Sequence, residues 1–135
     1  MHLRTLSFLI AATLVAPAWA QGGGHGHLKP QVGKASIYSK KFAGRKMANG
    51  APMDPNDSNA ASKTLPLGTR ARVTNLANGK SAVVTIEDRG PHVPGRIVDL
   101  SPHSASEIGL TEKQGIAQVE VVPIELPGDS KLARD

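Results

Sequence analysis

The sequence predicts an all-β fold, a small closed barrel of five or six short strands with one or two short helices. Short apolar segments with strand-like alternation recur at regular spacing, and turn residues separate them. The strand–helix–strand rhythm of a parallel sheet is absent, which favours a closed barrel over an open parallel sheet. Asn78-Gly79 joins two of the segments and is the strongest short hairpin signal, because both residues tolerate a positive φ.

Five segments have the strand pattern. In the first, Val32–Ser39, Ala35 and Ile37 fall on one face while Ser36 and Tyr38 fall on the other. The remaining strands are predicted over Thr69–Leu76, Lys80–Glu87, Arg96–Leu100 and Gly115–Leu126. The Asn-Gly hairpin connects the second of these strands to the third.

The segments between the strands predict one long loop and two short helical pieces. Lys40–Asp57 is rich in turn residues, and loops of this length in compact domains tend to be functional. Ser58–Thr64 is expected to contain one helical turn. A second helix is expected to begin at Ser101-Pro102, where serine can cap the free N–H groups and proline suits the first helical position, and to end at Gly109.

Residues 1–20 have the pattern of a secretory signal peptide. Arg4 precedes an apolar run too short to span a bilayer, and Ala18-Trp19-Ala20 predicts cleavage after Ala20. Residues 21–31 are expected to be a flexible Gly- and His-rich leader, 32–126 the barrel and 127–135 a charged tail. Because the chain has no cysteine and no second apolar segment, we expect no disulfide, no lipid attachment at a cysteine and no transmembrane segment. The predicted product is monomeric and soluble, in the periplasm or outside the cell.

Composition narrows the classes of partner. The chain has 16 Lys and Arg against 11 Asp and Glu, a formal net charge of +5, which favours an anionic partner such as a cell-wall polymer or a membrane surface. After the signal peptide the aromatic residues are Tyr38 and Phe42, too few for the stacking surface of a nucleic-acid-binding protein. His25 and His27 could hold a metal, but a flexible leader is favoured since no further ligand is near, and neither a metal nor a cofactor is predicted.

Thr85–Ser101 is the segment that points most directly to chemistry. Two apolar runs flank a loop rich in glycine and proline, and Asp88 lies where the chain leaves the first run, so its carboxylate can point into a groove. Asp88 is therefore the main catalytic candidate. The alternative is that it caps the turn or pairs with Arg89 or Arg96. A structural hydrogen-bonding role is expected for Asp99, which lies inside the next strand.

Six motifs, in order, resemble the rare lipoprotein A (RlpA) family. They are Gly33–Ser39, Ala48–Gly50, Ala60–Thr69, Val73–Gly79, Asp88–Pro91 and Gly95–Ser101, and the match runs in order over about Val32–Ile124, nearly all of the predicted barrel. The resemblance implies a six-stranded double-psi β-barrel and a periplasmic lytic transglycosylase that acts on peptidoglycan glycan strands lacking stem peptides. In such an enzyme the C6 hydroxyl of N-acetylmuramic acid attacks C1 of the same sugar. One carboxyl group can protonate the leaving oxygen and accept the hydroxyl proton.

The resemblance assigns catalytic roles to Asp88 and Asp54. It also shows two departures, because Ala51 replaces the family's glutamate and Ser62 replaces its histidine. An Asx-type turn is an equally open explanation of Asp54, which precedes a proline.

Four further residues are candidates for binding the substrate: Tyr38, Asn49, Ser62 and Arg89. For Tyr38 a structural place in the barrel is equally open. Arg45, Lys46 and Lys63 are expected to form a solvated basic rim that could also meet glycan carboxylates.

Two functions of different classes therefore remain open. The first is a lytic transglycosylase acting on peptidoglycan glycan strands, with Asp88 as the catalytic group. The second is a catalytically silent module that binds peptidoglycan or a protein partner, which the replacements at Ala51 and Ser62 favour. An expansin-like loosener of cell walls fits poorly with so few aromatic residues. Cell-division or cell-wall proteins are further candidate partners.

Overall fold

The computed structural model describes residues 29–128. Within this range the strands are β1 (Gln31–Ile37), β2 (Asn59–Ala61), β3 (Arg70–Asn75), β4 (Ser81–Asp88), β5 (Arg96–Leu100) and β6 (Ile116–Glu125). One α-helix, α1 (Pro102–Glu107), precedes β6, and a 3₁₀ turn at Lys40–Phe42 begins the long loop after β1. The predicted signal peptide, and nearly all of the predicted leader and charged tail, lie outside the described residues.

The strands close into a barrel in the order β1-β5-β2-β4-β3-β6. β1 with β5 and β2 with β4 are parallel pairs, and the other neighbours around the barrel are antiparallel. Among these six strands, closure leaves no edge open for pairing with another chain. The predicted small closed barrel of short strands with few helices is confirmed.

Strand β2 corrects one prediction. The sequence predicts one helical turn within Ser58–Thr64, but Asn59–Ala61 is a strand, in which Ala60 pairs with Leu100 on one side and with Ile86 on the other. The Ala60 side chain is fully buried between these larger residues. The prediction was wrong because the helix propensity of alanine is a weak preference, and backbone pairing with two neighbouring strands overrides it.

Branched aliphatic side chains fill the interior of the barrel. Six of them are completely shielded from solvent: Val73, Val84, Ile86, Val98, Leu100 and Val119. Removing each such side chain from water contributes about 1.5–3 kcal/mol to folding. The chain after α1 adds Ile108 and Leu110 to the same core. The alternation that buries these residues directs their chain neighbours to the outer face of the barrel.

Helix α1 begins as the sequence predicts. The hydroxyl of Ser101 accepts a hydrogen bond of 3.1 Å from the backbone N–H of Ser104, and Pro102 is the first helical residue. Gly109, with a φ of 71°, follows the helix. Among the described residues no helix is long and apolar enough to cross a membrane.

Candidate active site

A row of four side chains crosses the outer face of the barrel. Around the barrel Ser36 of β1 pairs with Asp99 of β5, Asp99 with Ala61 of β2, and Ala61 with Asp88 at the end of β4. Residues paired in register on neighbouring strands point to the same face. The row therefore carries two carboxyl groups, on strands that are separated by β2 and its small Ala61 side chain.

The Asp88 carboxylate accepts three hydrogen bonds. Its Oδ1 accepts from the backbone N–H groups of Ala48 at 2.9 Å and Arg89 at 2.8 Å. Its Oδ2 accepts from the hydroxyl of Tyr38 at 2.7 Å. Because every partner is a donor, the structure holds Asp88 as a hydrogen-bond acceptor in one orientation. The long loop after β1 contributes Ala48, which gives that loop a direct part in the site.

Tyr38 is held in place around this bond. Its ring packs edge-to-face on Phe42, with centroids 6.2 Å apart and an interplanar angle of 69°. Burial raises the pKa of the Tyr38 hydroxyl far above its ordinary value, and the hydrogen bond to Asp88 and the charges of Asp88 and Asp99 raise this pKa further. Tyr38 therefore stays protonated and remains a donor to Asp88 throughout the physiological pH range.

Asp99 has a different environment. The hydroxyl of Ser36 donates a hydrogen bond to its Oδ1, which confirms the hydrogen-bonding role expected from the sequence. Burial raises the pKa of the Asp99 carboxyl, and the negative charge of Asp88 adds to this effect. The Ser36 hydrogen bond and the positive charges of Arg96 and His92 act in the opposite direction. The net result is a carboxyl group that retains its proton to a higher pH than an ordinary aspartate.

An open groove runs along both carboxyl groups. Its larger part has a volume of about 480 Å³ and is lined by both carboxyls together with Tyr38 and Phe42. A smaller part of about 270 Å³ is also lined by Asp88 and shares Tyr38 and Phe42 with the first. Asp88 therefore lines both parts of the groove.

Basic side chains line this groove. Lys41, Arg89 and Arg96 line the larger part, and Arg45 and Lys46 line the smaller part. Two of them also pack over the ring of Phe42, with the Lys41 ammonium 5.5 Å and the Arg45 guanidinium 5.3 Å from its centroid. The groove thus offers positive charge around two carboxyl groups, a combination suited to an anionic polymer.

The guanidinium of Arg89 is engaged away from Asp88. One of its nitrogens, Nη1, donates to the backbone carbonyl of Ser62 at 2.9 Å and to that of Leu65. Ser62 is buried, and its hydroxyl accepts from the backbone N–H groups of Thr64 at 3.2 Å and Leu65 at 3.1 Å. The side chains of Arg89 and Ser62 together brace the turn at 62–65, and Ser62 does not line the groove.

Two other predicted residues take part in turns of the long loop. The Asp54 carboxylate accepts a hydrogen bond of 2.9 Å from the backbone N–H of Asn56. This contact is the Asx-type turn that the sequence offered as the alternative explanation of Asp54. The side-chain oxygen of Asn49 accepts from the backbone N–H of Ala51 at 2.9 Å. Asp54 and Asn49 do not line either part of the groove. Of the predicted site residues, the structure brings Asp88, Tyr38 and Arg89 together.

The sequence interpretation missed two contributors to the groove. Phe42 supports Tyr38 and binds two cations over its ring, and Asp99 lines the groove as well as bonding to Ser36. The alternation of β5 could have indicated that Asp99 faces outward, because the buried residues Val98 and Leu100 lie on either side of it in the strand. Within residues 29–128 no group of three or more His, Cys, Asp or Glu side chains could hold a metal ion.

The chain resembles a known family of proteins over most of its length. The model of the family described as lytic transglycolase matches residues 30–121. The endolytic peptidoglycan transglycosylase RlpA of Pasteurella multocida is 48% identical over 101 residues, which are 75% of this chain and 34% of that protein. The protein of the same name in Neisseria meningitidis serogroup A is 45% identical over 100 residues, 74% of this chain and 41% of that protein. The chain therefore spans less than half the length of these curated relatives.

Solved structures show the same fold at lower identity. An expansin of Clavibacter michiganensis superposes with a TM-score of 0.57 and 22% identity, covering 73% of this chain and 52% of that one. The Streptomyces papain inhibitor superposes with a TM-score of 0.56 and 20% identity, covering 72% of this chain and 96% of that one. With the family match, this likeness confirms the double-psi β-barrel.

Proposed function

The chain belongs to the lytic transglycolase family, and from that premise we propose that it is an exported lytic transglycosylase that cuts peptidoglycan glycan strands and leaves 1,6-anhydro ends. One observation carries the proposal. Asp88, a carboxylate that accepts three hydrogen bonds, lines both parts of an open groove. One of these hydrogen bonds comes from the hydroxyl of Tyr38, which lines the same groove and lies 50 residues earlier in the chain.

Asp88 is suited to taking a proton from the substrate. In the reaction, a bond forms between C1 and O6 of N-acetylmuramic acid while the bond from C1 to the leaving oxygen breaks. The C6 hydroxyl must lose its proton as it attacks, and a fixed acceptor beside it lowers the barrier to that step. We assign this role to Asp88, with Tyr38 and the backbone N–H of Ala48 as the groups that orient it.

The groove supports the choice of an extended anionic glycan as substrate. Asp88 lines both of its parts, which leaves room for more than one sugar beside this residue, and its basic residues suit a polymer that carries carboxylates. A glycan strand without stem peptides exposes the free lactyl carboxylate of each N-acetylmuramic acid and is the substrate that we propose. Action on the cell wall also agrees with the signal peptide predicted at residues 1–20.

For the other predicted site residues we propose positioning roles, in place of the catalytic role expected for Asp54 and the substrate-binding roles expected for Asn49, Ser62 and Arg89. The side chains of Asp54, Asn49 and Ser62 form turns, and the Arg89 guanidinium braces the turn at 62–65. These contacts support positioning roles for the four residues, in the loops that surround Asp88.

The test is a product analysis with purified protein. Peptide-free glycan strands are incubated with the wild type and with Asp88→Asn, and the products are analysed by mass spectrometry. We expect 1,6-anhydro ends from the wild type and a loss of at least about 100-fold in Asp88→Asn, since a general base contributes about 10²–10⁴-fold. Lysozyme-treated strands, which gain reducing ends instead, are the control for hydrolysis. Absence of anhydro products from the wild type would overturn the proposal.

A catalytically silent binding module is the second candidate. Ala51 and Ser62 favour it, because the rare lipoprotein A family has a glutamate and a histidine at these two positions. Such a module would sediment with peptidoglycan and release no anhydro products, and Asp88→Asn would leave its binding within about threefold. The same two preparations, assayed for sedimentation and for products, therefore separate the candidates.

A further inference from the structure

We propose that Asp99 is a second catalytic carboxyl group, which donates a proton to the leaving glycosidic oxygen while Asp88 accepts the proton of the C6 hydroxyl. This inference rests on the proposed transglycosylase function. One carboxyl group could perform both proton transfers of that reaction, and we assign one transfer to each of the two residues. It assigns to Asp99 a role beyond its hydrogen bond to Ser36.

The register of the barrel places the two carboxyl groups on one face. Ala61 pairs with Asp88 on one side and with Asp99 on the other, so the two aspartates lie two strands apart with a methyl group between them. In glycosidases a pair of carboxyl groups flanks the glycosidic bond that is cut. Both carboxyls line the larger part of the groove.

One oxygen of Asp99 is left available to a ligand. Ser36 bonds to Oδ1, and no hydrogen bond reaches Oδ2 from residues 29–128. Oδ2 lies 3.9 Å from the position that a Cβ atom would take at Gly90. Gly90, with a φ of 132°, thus brings the loop close to Asp99 without adding a side chain that would cover this oxygen.

The environments of the two carboxyls fit them for opposite roles. Asp88 accepts three hydrogen bonds and is held as an acceptor, as a base requires. Asp99 is partly buried and its pKa is raised, as an acid requires. The charged and titratable groups that face Asp99 are Arg96 on its own strand, His92 from the loop before it, and Asp88 and Tyr38, which line the same groove. Lys41 and Arg89 line the same part of the groove.

The proton balance of the reaction closes on these two groups. The neutral Asp99 carboxyl gives its proton to the leaving oxygen as the C1–O bond breaks, and becomes a carboxylate. The C6 oxygen bonds to C1 and passes its proton to Asp88, which becomes neutral. No water is consumed, and the protein recovers its starting state when the proton on Asp88 returns to Asp99 through solvent in the groove.

The test compares two substrates that differ in leaving group. One is a peptide-free glycan strand, whose sugar alkoxide needs a proton to leave. The other is the 4-nitrophenyl glycoside of an N-acetylglucosaminyl–N-acetylmuramic acid disaccharide, whose nitrophenolate leaves without one. For Asp99→Asn we expect kcat on the strand to fall by about 10²–10³-fold, while kcat on the aryl glycoside falls by less than about tenfold. Asp88→Asn should lose activity on both substrates, because both require the base.

Three outcomes would overturn the proposal while leaving the transglycosylase function intact. The first is full activity of Asp99→Asn on the glycan strand, and the second is an equal loss of kcat on the two substrates in this variant. The third is an alkaline limb of the kcat–pH profile that is the same in Asp99→Asn as in the wild type. Inactivity of the wild type on both substrates would instead contradict the proposed function itself. Glu107→Gln, which neutralises an exposed carboxyl on α1 that pairs with His103 outside the groove, is the matched control and should retain wild-type activity.

A second variant keeps the proposal testable if Asp99→Asn does not fold. Ser36→Ala removes the hydroxyl bonded to Asp99 Oδ1, a bond that lowers the pKa of this carboxyl. The alkaline limb of the kcat–pH profile should therefore move to higher pH in Ser36→Ala. An unmoved limb in a folded Ser36→Ala variant would contradict the assignment of the acid to Asp99.

Discussion

The hydroxyl of Tyr38 donates a 2.7 Å hydrogen bond to Oδ2 of Asp88, across the two strands that separate β1 from β4 in the barrel. The bond joins the beginning of the long loop to the end of β4. It gives Tyr38 a function that neither a barrel position nor sugar stacking explains, since it orients the carboxylate that we assign as the base.

Tyr38→Phe should lower kcat by roughly 10- to 100-fold and change KM much less. The variant keeps the ring and its packing on Phe42 but removes the donor, and a hydrogen bond to a charged group contributes about 1.5–3 kcal/mol. Steady-state kinetics on peptide-free strands is the measurement. Phe42→Leu, which changes the ring beneath Tyr38 and keeps its hydroxyl, is the comparison. A Tyr38→Phe enzyme with wild-type kcat would show that the bond has no part in the reaction.

Asp54→Asn should retain activity within about threefold of the wild type. Asparagine can accept the same hydrogen bond from the backbone N–H of Asn56, so the substitution removes the charge and keeps the Asx-type turn. Asp54→Ala removes the turn as well, at a cost of about 1 kcal/mol in stability. Kinetics and thermal denaturation of the two variants are the measurements. A loss of 100-fold or more in Asp54→Asn would instead establish a catalytic charge at this position.

Arg89→Ala should destabilise the fold by about 2 kcal/mol, or lower Tm by roughly 10 °C for a domain of this size. The substitution removes the guanidinium bonds to the carbonyls of Ser62 and Leu65 and so releases the turn at 62–65. Arg89→Lys keeps the charge but cannot reproduce the planar donor geometry, and should recover less than half of the loss. Thermal denaturation is the measurement. If Arg89→Ala keeps the wild-type Tm and loses only affinity for glycan, the brace is unimportant and direct substrate binding is supported.

Asp99→Asn should gain stability relative to the wild type as pH rises from acid to neutral. Because the folded-state pKa of Asp99 is raised, the folded protein holds this proton more tightly than the unfolded chain does. The wild type therefore loses stability as pH rises from the ordinary aspartate pKa through the raised one, and asparagine does not.

The measurement is the Tm of Asp99→Asn and of the wild type between about pH 4 and pH 8. The advantage of Asp99→Asn in Tm should be smallest at the acid end of this range. A difference that stays constant across this range would contradict the raised pKa. Stabilisation at neutral pH together with the loss of kcat proposed above would identify Asp99 as a residue kept for function at the expense of stability.

The sequence by itself determined most of the fold and the position of Asp88. Period-two alternation located β1, β3, β4, β5 and β6, and a capping serine followed by proline located α1, because these signals are local to each segment. Asp88 was predicted because a carboxylate at the exit of a strand, before a loop rich in glycine and proline, is free to point into a groove.

Tertiary structure decided what depends on contacts between distant segments. Ala60 lies in a strand because β4 and β5 supply backbone partners on both sides and leave an interior space of its size. The local sequence around Ala60 does not encode these contacts. The direction of the Arg89 guanidinium depends on carbonyls 24 and 27 residues earlier in the chain. Asp99 and Asp88 come to one face because β2 pairs in parallel with β4 and antiparallel with β5, in a register that places both aspartates beside Ala61. Register is set by closure of the whole barrel, so a linear pattern could place each aspartate on its strand but could not bring the two onto one face.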